Sequence, residues 1–360
     1  METYYREQLK VLLGQIRGLD KTAMNQAQAR WDGIAKPLDG LGEFERMFVR
    51  LAGIQGNEEV RIGRKAVAVF CADNGIVEEG VTQTDSSVTA IVAGNMAEGT
   101  ASVNRMAMTV GADVLPVDMG MNQALDKPGI WSCRMGNGTG NFLKGPAMTM
   151  EQALEAVHVG IGLAGEMKSA GYDLLAVGEM GIGNTTTSSA LASVLLELPA
   201  EAVTGRGAGL SLEGLERKIQ VIKQGIAIHK SERSKPLETL AALGGFDIAG
   251  MTGFLLGAAI YRIPVVLDGM ISAVAALLAQ ALCPAVTDYL LASHLGKEPV
   301  CSLAMERLGL RPVIHGAMAL GEGTGAVMLF PLLDMAAAVY GQNRTFGDIK
   351  IAPYHKYEED

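Results

Sequence analysis

A chain of 360 residues in which 49% of the side chains are hydrophobic has core enough for one large α/β domain or two smaller ones, which excludes disorder. Its 39 acidic residues against 30 basic ones leave a formal charge of −9, so no global field favours nucleic acid or an anionic membrane, and an anionic ligand needs local help. The four cysteines form no C-x-x-C pair and the five histidines no H-E-x-x-H, which predicts reduced thiols and no metal site.

The first residues, METYYREQLKVLL, mix charge into the apolar positions from Glu2 onward, unlike the core of a signal peptide, so a cytoplasmic protein is expected. From Tyr4 to about Gly56 the segments LKVLLGQI and FERMFVRLAGI place apolar residues three and four apart, which predicts helices separated by the breaker KPLDGLG. At Lys65 the pattern changes. KAVAVFCADNG, ADVLPVDMG, YDLLAVGEMG and IPVVLDGM are short runs, apolar on both faces, each followed directly or after a loop by a segment that can be helical. Strands of a parallel sheet covered on both sides read this way, so the expected core is a doubly wound α/β fold. The charge-free run Gly269 to Thr287 is long enough to raise a membrane span, but Gln280, Pro284 and its alanine content predict a buried helix. AVMLFPLLDMAAAVYG reads as a closing helix and IAPYHKYEED, 351–360, as a polar tail.

Ligands of open α/β sheets sit beyond the carboxyl ends of the strands, where this chain places Asp73, Asn74, Asp118, Glu179 and Asp268, although such residues also end strands without further purpose. The strongest local signal is DLLAVGEMGIGNTTTSSALASVLL, a strand, a turn with Gly178, Gly181 and Gly183, and a helix opened by Asn184, Thr185 and Thr186. Backbone N–H groups, a helix N-terminus and hydroxyls there suit a phosphomonoester; an ordinary capped turn would look similar. No Walker lysine follows, so ATP is not expected. In LGEGTGA the carboxylate of Glu322 stands between Gly321 and Gly323, which clear room for a substrate to reach it, though a solvent-facing turn would carry the same residues. Asp268 is a candidate to meet a ribose hydroxyl. Lys218 is one of few cations nearby, on a helix where a solvated face is the ordinary role. The small residues Gly250, Gly253, Gly257, Ala258 and Ala259 predict close helix packing.

Taken together, LAGIQG, ADNGIVEEGV, VTAI, GEMGIGNTT, GGFDIAGMTG, LDGM, ASH and LGEGTGA, in that order and separation, resemble the nicotinate-nucleotide:dimethylbenzimidazole phosphoribosyltransferase family nearly end to end. The resemblance implies a Rossmann-like parallel sheet over 61–327 with a smaller helical domain formed from both chain termini, 1–60 and 328–350, and a homodimer. It implies transfer of a 5-phosphoribosyl group from nicotinate mononucleotide to 5,6-dimethylbenzimidazole or a related base, giving α-ribazole 5′-phosphate and nicotinate with inversion at C1′ and no cofactor. It maps the catalytic base onto Glu322 and the phosphate loop onto Glu179, Met180, Gly181, Gly183, Asn184 and Thr185, with Lys218 on the phosphate. Thr84, Val92, Met180 and Leu320 would surround the flat base. Asn74 stands where many members carry His, Ala319 where Arg is common, and Val92 where some carry Gln, departures that bear on the choice of base. Transfer to a phenolic or purine base, a hydrolase and a non-catalytic nucleotide-binding regulator are the other readings.

Overall fold

The computed structural model describes residues 1–356. Six parallel strands make one sheet in the order β3-β2-β1-β4-β5-β6. They are β1 (Lys65–Ala72), β2 (Ala112–Gly120), β3 (Trp131–Ser132), β4 (Leu174–Met180), β5 (Val265–Leu267) and β6 (Leu290–Ala292). The four runs read from sequence are β1, β2, β4 and β5. The other two, of two and three residues, are too short to show a period.

Every residue of β1 is buried, and the strand alternates between two cores. Ala66, Ala68 and Phe70 enter one; Val67, Val69 and Cys71 enter the other. The first core is sealed by helices Met150–Ser169 and Phe246–Tyr261, which approach so closely that a methyl group on Gly257 would lie 2.7 Å from the Ile161 carbonyl oxygen. The second is built by Lys21–Gly33, Glu43–Gln55 and the closing helix Thr324–Gln342, where the Trp31 ring lies 5.8 Å from Phe48 and 4.9 Å from Tyr340, centre to centre. Helices from the two ends of the chain therefore share one core. The first helix, Glu2–Leu13, lies elsewhere, against Met150–Ser169, with the Tyr5 carbonyl 2.9 Å from His158 Nε2.

The charge-free run forms helix Met270–Leu282, buried from Met270 to Ala279, and a 3₁₀ turn over Pro284–Tyr289. Among the described residues one helix, Thr324–Gln342, is long and apolar enough to cross a membrane. It packs in the second core and is tied to the start of β1 by a 2.8 Å ion pair between Asp334 and the buried Lys65. Of the tail, 351–356 form no regular element and 357–360 lie outside the described residues.

The sheet order reverses between β1 and β4, so helices leave to opposite sides there and a crevice opens beyond the strand ends.

Two glycines of the first helix pair differ in what surrounds them. Gly257→Ala should destabilise by about 1–3 kcal/mol, because the added methyl meets backbone that cannot yield. Gly162→Ala, exposed and with nothing within 4 Å, should stabilise by about 0.5–1 kcal/mol through lower unfolded-state entropy. Urea denaturation of the two variants checks the opposite signs; equal effects would show that the helix crossing is looser than described.

Candidate active site

Beyond the ends of β4, β5 and β6 lies a cavity of about 280 Å³. Its wall includes Thr84, Glu179 to Thr185, Asp268, His294 and Leu320 to Glu322. Glu179, Asp268 and Glu322 lie toward one end, and Arg206 and Lys297 toward the other, together with Glu298.

At the acidic end the Glu322 turn is bent into an unusual backbone. Gly321, Glu322 and Gly323 have φ of 83°, 61° and 84°, three left-handed residues in a row, of which only the glutamate carries a steric cost. Two contacts keep it there. Glu322 N donates to the Glu179 carbonyl at 3.3 Å, and β4 comes close because Gly178 lacks a side chain; a methyl there would lie 2.6 Å from the Glu322 carbonyl carbon. The Asp268 carboxylate accepts from Gly323 N (3.1 Å), Gly325 N (2.8 Å) and Ala326 N (3.2 Å), capping the closing helix. Asp268 thus shapes the turn through the backbone, and it also lines the cavity in which it was expected to meet a sugar hydroxyl. Burial raises its pKa, against the pull of His294 and those amides.

Glu322 Oε2 accepts from Val103 N at 3.1 Å, on the first turn of helix Ser102–Thr109. Oε1 has no hydrogen-bond partner among the described residues. Glu179, half-buried, stands among carboxylates. Loss of solvation pushes its pKa up to about 8, the 2.5 Å hydrogen bond from Asn184 Nδ2 opposes this, and Asp247, Asp268 and Glu322 add to it. The same Asn184 nitrogen lies 3.0 Å from Asp247 Oδ2, whose buried carboxyl is raised to about 6. The upward shift favours the neutral form of Glu179, which relieves like-charge repulsion beside Glu322.

At the other end Lys218, on helix Leu212–His229, is fully buried and donates to Thr185 Oγ1 at 2.9 Å. Burial lowers its pKa to about 8, opposed by Glu298. Among the described residues it forms no ion pair, so an ammonium is held out of water beside a cavity with no fixed counter-charge in contact. The loop Gly205 to Gly209 closes over it, with Gly207 and Gly209 at φ of 53° and 105°. Gly207 N donates to Glu298 Oε1 at 3.1 Å, and Arg206 and Lys297 also line the wall.

Of the residues expected from sequence, Thr84, Glu179, Met180, Gly181, Gly183, Asn184, Thr185, Asp268, Leu320, Gly321 and Glu322 share this cavity. Gly323 sits behind it in the turn, and Lys218 reaches it through Thr185. Val92 packs on the second core and does not line the wall. The amides of Asn184, Thr186 and Thr187 bond to the Gly181 and Gly183 carbonyls, so the first helical turn offers less of a cradle than its glycines promised. Asp73 and Asp118 are spent on loops: Asp73 accepts from Thr89 Oγ1 and Asn122 N, and Asp118 from Gly120 N, Met121 N and Arg134. Sequence reasoning missed Gly207, Arg206, His294, Lys297 and Glu298; the alternating glycines of TGRGAG, 204–209, were the available signal.

A phosphoribosyltransferase family model matches residues 16–351. The chain is 44% identical over 346 residues to the nicotinate-nucleotide–dimethylbenzimidazole phosphoribosyltransferase of Ruminiclostridium cellulolyticum, covering 96% of this chain and 98% of that one. It is equally identical over 343 residues to the enzyme of that name from Clostridium acetobutylicum, covering 95% and 97%. The crystal structure of CobT from Thermus thermophilus superposes with a TM-score of 0.88 at 40% identity, over 92% of this chain and 99% of that one. With a cavity beyond the strand ends and matches that run almost from end to end, the chain belongs to the nicotinate-nucleotide–dimethylbenzimidazole phosphoribosyltransferase family and is a phosphoribosyltransferase.

Proposed function

We propose that this enzyme moves the 5-phosphoribosyl group of nicotinate mononucleotide onto 5,6-dimethylbenzimidazole or a related base, with Glu322 as the general base. The observation that carries the reading is the polarity of one cavity: a buried, unpaired Lys218 at one end and a carboxylate with a free oxygen, Glu322, at the other. The phosphate is read as lying against Lys218, Thr185 and the Gly207 loop. This leaves C1′ toward the acidic end.

The chemistry asks little more of the protein. The pyridine nitrogen of the donor is already cationic, so nicotinate leaves with the bond electrons and needs no general acid. One nitrogen of the benzimidazole attacks C1′ opposite the leaving group, which inverts the centre, and the N–H proton of the other is taken by Glu322, a contribution of about 10²- to 10⁴-fold. Among the described residues no group of three or more His, Cys, Asp and Glu side chains is arranged to hold a metal ion. Met180 and Leu320 offer an apolar wall for a flat base, with Leu320 about half exposed at the mouth. A cytoplasmic homodimer is part of the same proposal.

Two measurements test it. Nicotinate release from the mononucleotide should require added dimethylbenzimidazole, and Glu322→Gln, which keeps shape but takes no proton, should lower turnover by about 10²- to 10⁴-fold while still binding donor. Base-independent release would identify a hydrolase, and near-normal turnover in the variant would remove Glu322 from the chemistry. The phosphate end has its own signature. Lys218, lowered to about 8 in the empty site, is mostly charged below that pH and loses its charge above it. Donor affinity should be nearly level from pH 7 to about 7.5 and then weaken, approaching about tenfold per unit above 8. Calorimetric titration checks this; constant affinity to about pH 9.5 would show that Lys218 does not address the phosphate.

A further inference from the structure

The cationic end of the cavity contains a group that an anion site should not need. Glu298, between His294 and the helix Val300–Leu308, puts its carboxylate under the Gly205 to Gly207 loop. Oε1 accepts from Gly207 N at 3.1 Å, while Oε2 is buried with no hydrogen-bond partner among the described residues. A buried carboxylate oxygen without a donor is costly. Its charge is also the one that opposes the loss of the proton from Lys218. The loop is shaped for an anion, since Gly207 is left-handed and a methyl there would lie 2.9 Å from Thr185 Oγ1 and 3.5 Å from Lys218 Nζ.

We infer that Glu298 is a resident anion of the phosphate subsite: in the empty enzyme its carboxylate takes the Gly207 N–H that the donor's phosphate takes on binding, and it must withdraw from that N–H for the phosphate to seat. This rests on the assignment of the Lys218 end to phosphate. Two anions cannot share one N–H at contact distance without strong repulsion, so the carboxylate sets a threshold that a well-placed dianion crosses and a weaker anion does not. Glu298 is on this account a residue that governs donor selection, acting through Gly207 and Lys218 rather than on the reacting atoms. Lys297 N donates to the Met318 carbonyl at 3.0 Å, which links this segment to the stretch of chain that leads into Leu320 and Glu322, so the withdrawal is assigned to the Glu298 side chain.

The test compares inorganic phosphate, nicotinate mononucleotide and the phosphate-free riboside by calorimetry on the wild type and Glu298→Gln. Gln keeps an oxygen for Gly207 N and removes the charge. Phosphate and mononucleotide should each bind about tenfold tighter to the variant, with the riboside unchanged. Equal or weaker phosphate binding in a folded variant would overturn the inference, as would an equal gain for the riboside. If the variant does not fold, the wild-type crystal structure with inorganic phosphate decides: Gly207 N on phosphate oxygen with Glu298 withdrawn supports the inference, and Glu298 still on Gly207 N beside bound phosphate overturns it. Tighter phosphate binding in a protein that transfers nothing to dimethylbenzimidazole would sustain the role of Glu298 and defeat only the reaction assigned above. Failure of the wild type to bind nicotinate mononucleotide any better than the riboside would defeat both.

Discussion

The Asp268 carboxylate accepts three backbone N–H groups, from Gly323, Gly325 and Ala326, and so joins the end of β5 to a turn more than fifty residues later in the chain. The rest of the reacting end depends on this. Glu322 is a non-glycine residue in left-handed backbone between two left-handed glycines, a conformation costing about 1–3 kcal/mol that persists only where surroundings impose it. Three donors on one buried carboxylate, each expensive to leave unmade, supply that imposition. Gly178 completes it by letting β4 pass against the turn. The side chain proposed as the base is therefore held by a strand end and a strand middle, both parts of the sheet.

The opposite end obeys a different constraint. Lys218 is kept charged out of water without an ion pair, which lowers its pKa and makes the empty subsite intrinsically poor. On the function proposed above, a phosphate would restore what burial removed, and affinity would be drawn from the relief of a cost already present in the fold. Against a net charge of −9, local cations matter: Arg206 and Lys297 line the wall with Lys218 behind Thr185, and Glu298 is the carboxylate that shares that end.

The sequence made legible those parts of the molecule whose signal is local. β1, β2, β4 and β5 announce themselves as doubly apolar runs ending in polar residues, and Glu322 is marked by the glycines that its turn requires. What escaped has physical reasons. β3 and β6 are too short to carry a period, so the outer strands of the sheet were invisible. The part played by Asp268 could not be read because its partners arrive from a distant segment; a strand-end aspartate looks the same whether it faces a ligand or a returning backbone. Lys218 resembled a solvated helix residue, and only the closing of the Gly205 to Gly209 loop shows it to be buried. Val92, by contrast, is set beside the base by the resemblance but belongs to the core side of its helix.

The most direct test of this account is the effect of Asp268→Asn on turnover and binding, measured separately. The amide keeps the size of the side chain and one oxygen, which can still accept from Gly325 N and Ala326 N, but turns a donor toward Gly323 N, so the Glu322 turn should loosen while the Lys218 end stays intact. The account predicts a fall in kcat of about 10²-fold from misplacement of the base, with the dissociation constant for nicotinate mononucleotide held within about threefold. Unchanged turnover in Asp268→Asn would show that the turn stands without its anchor and would contradict the account.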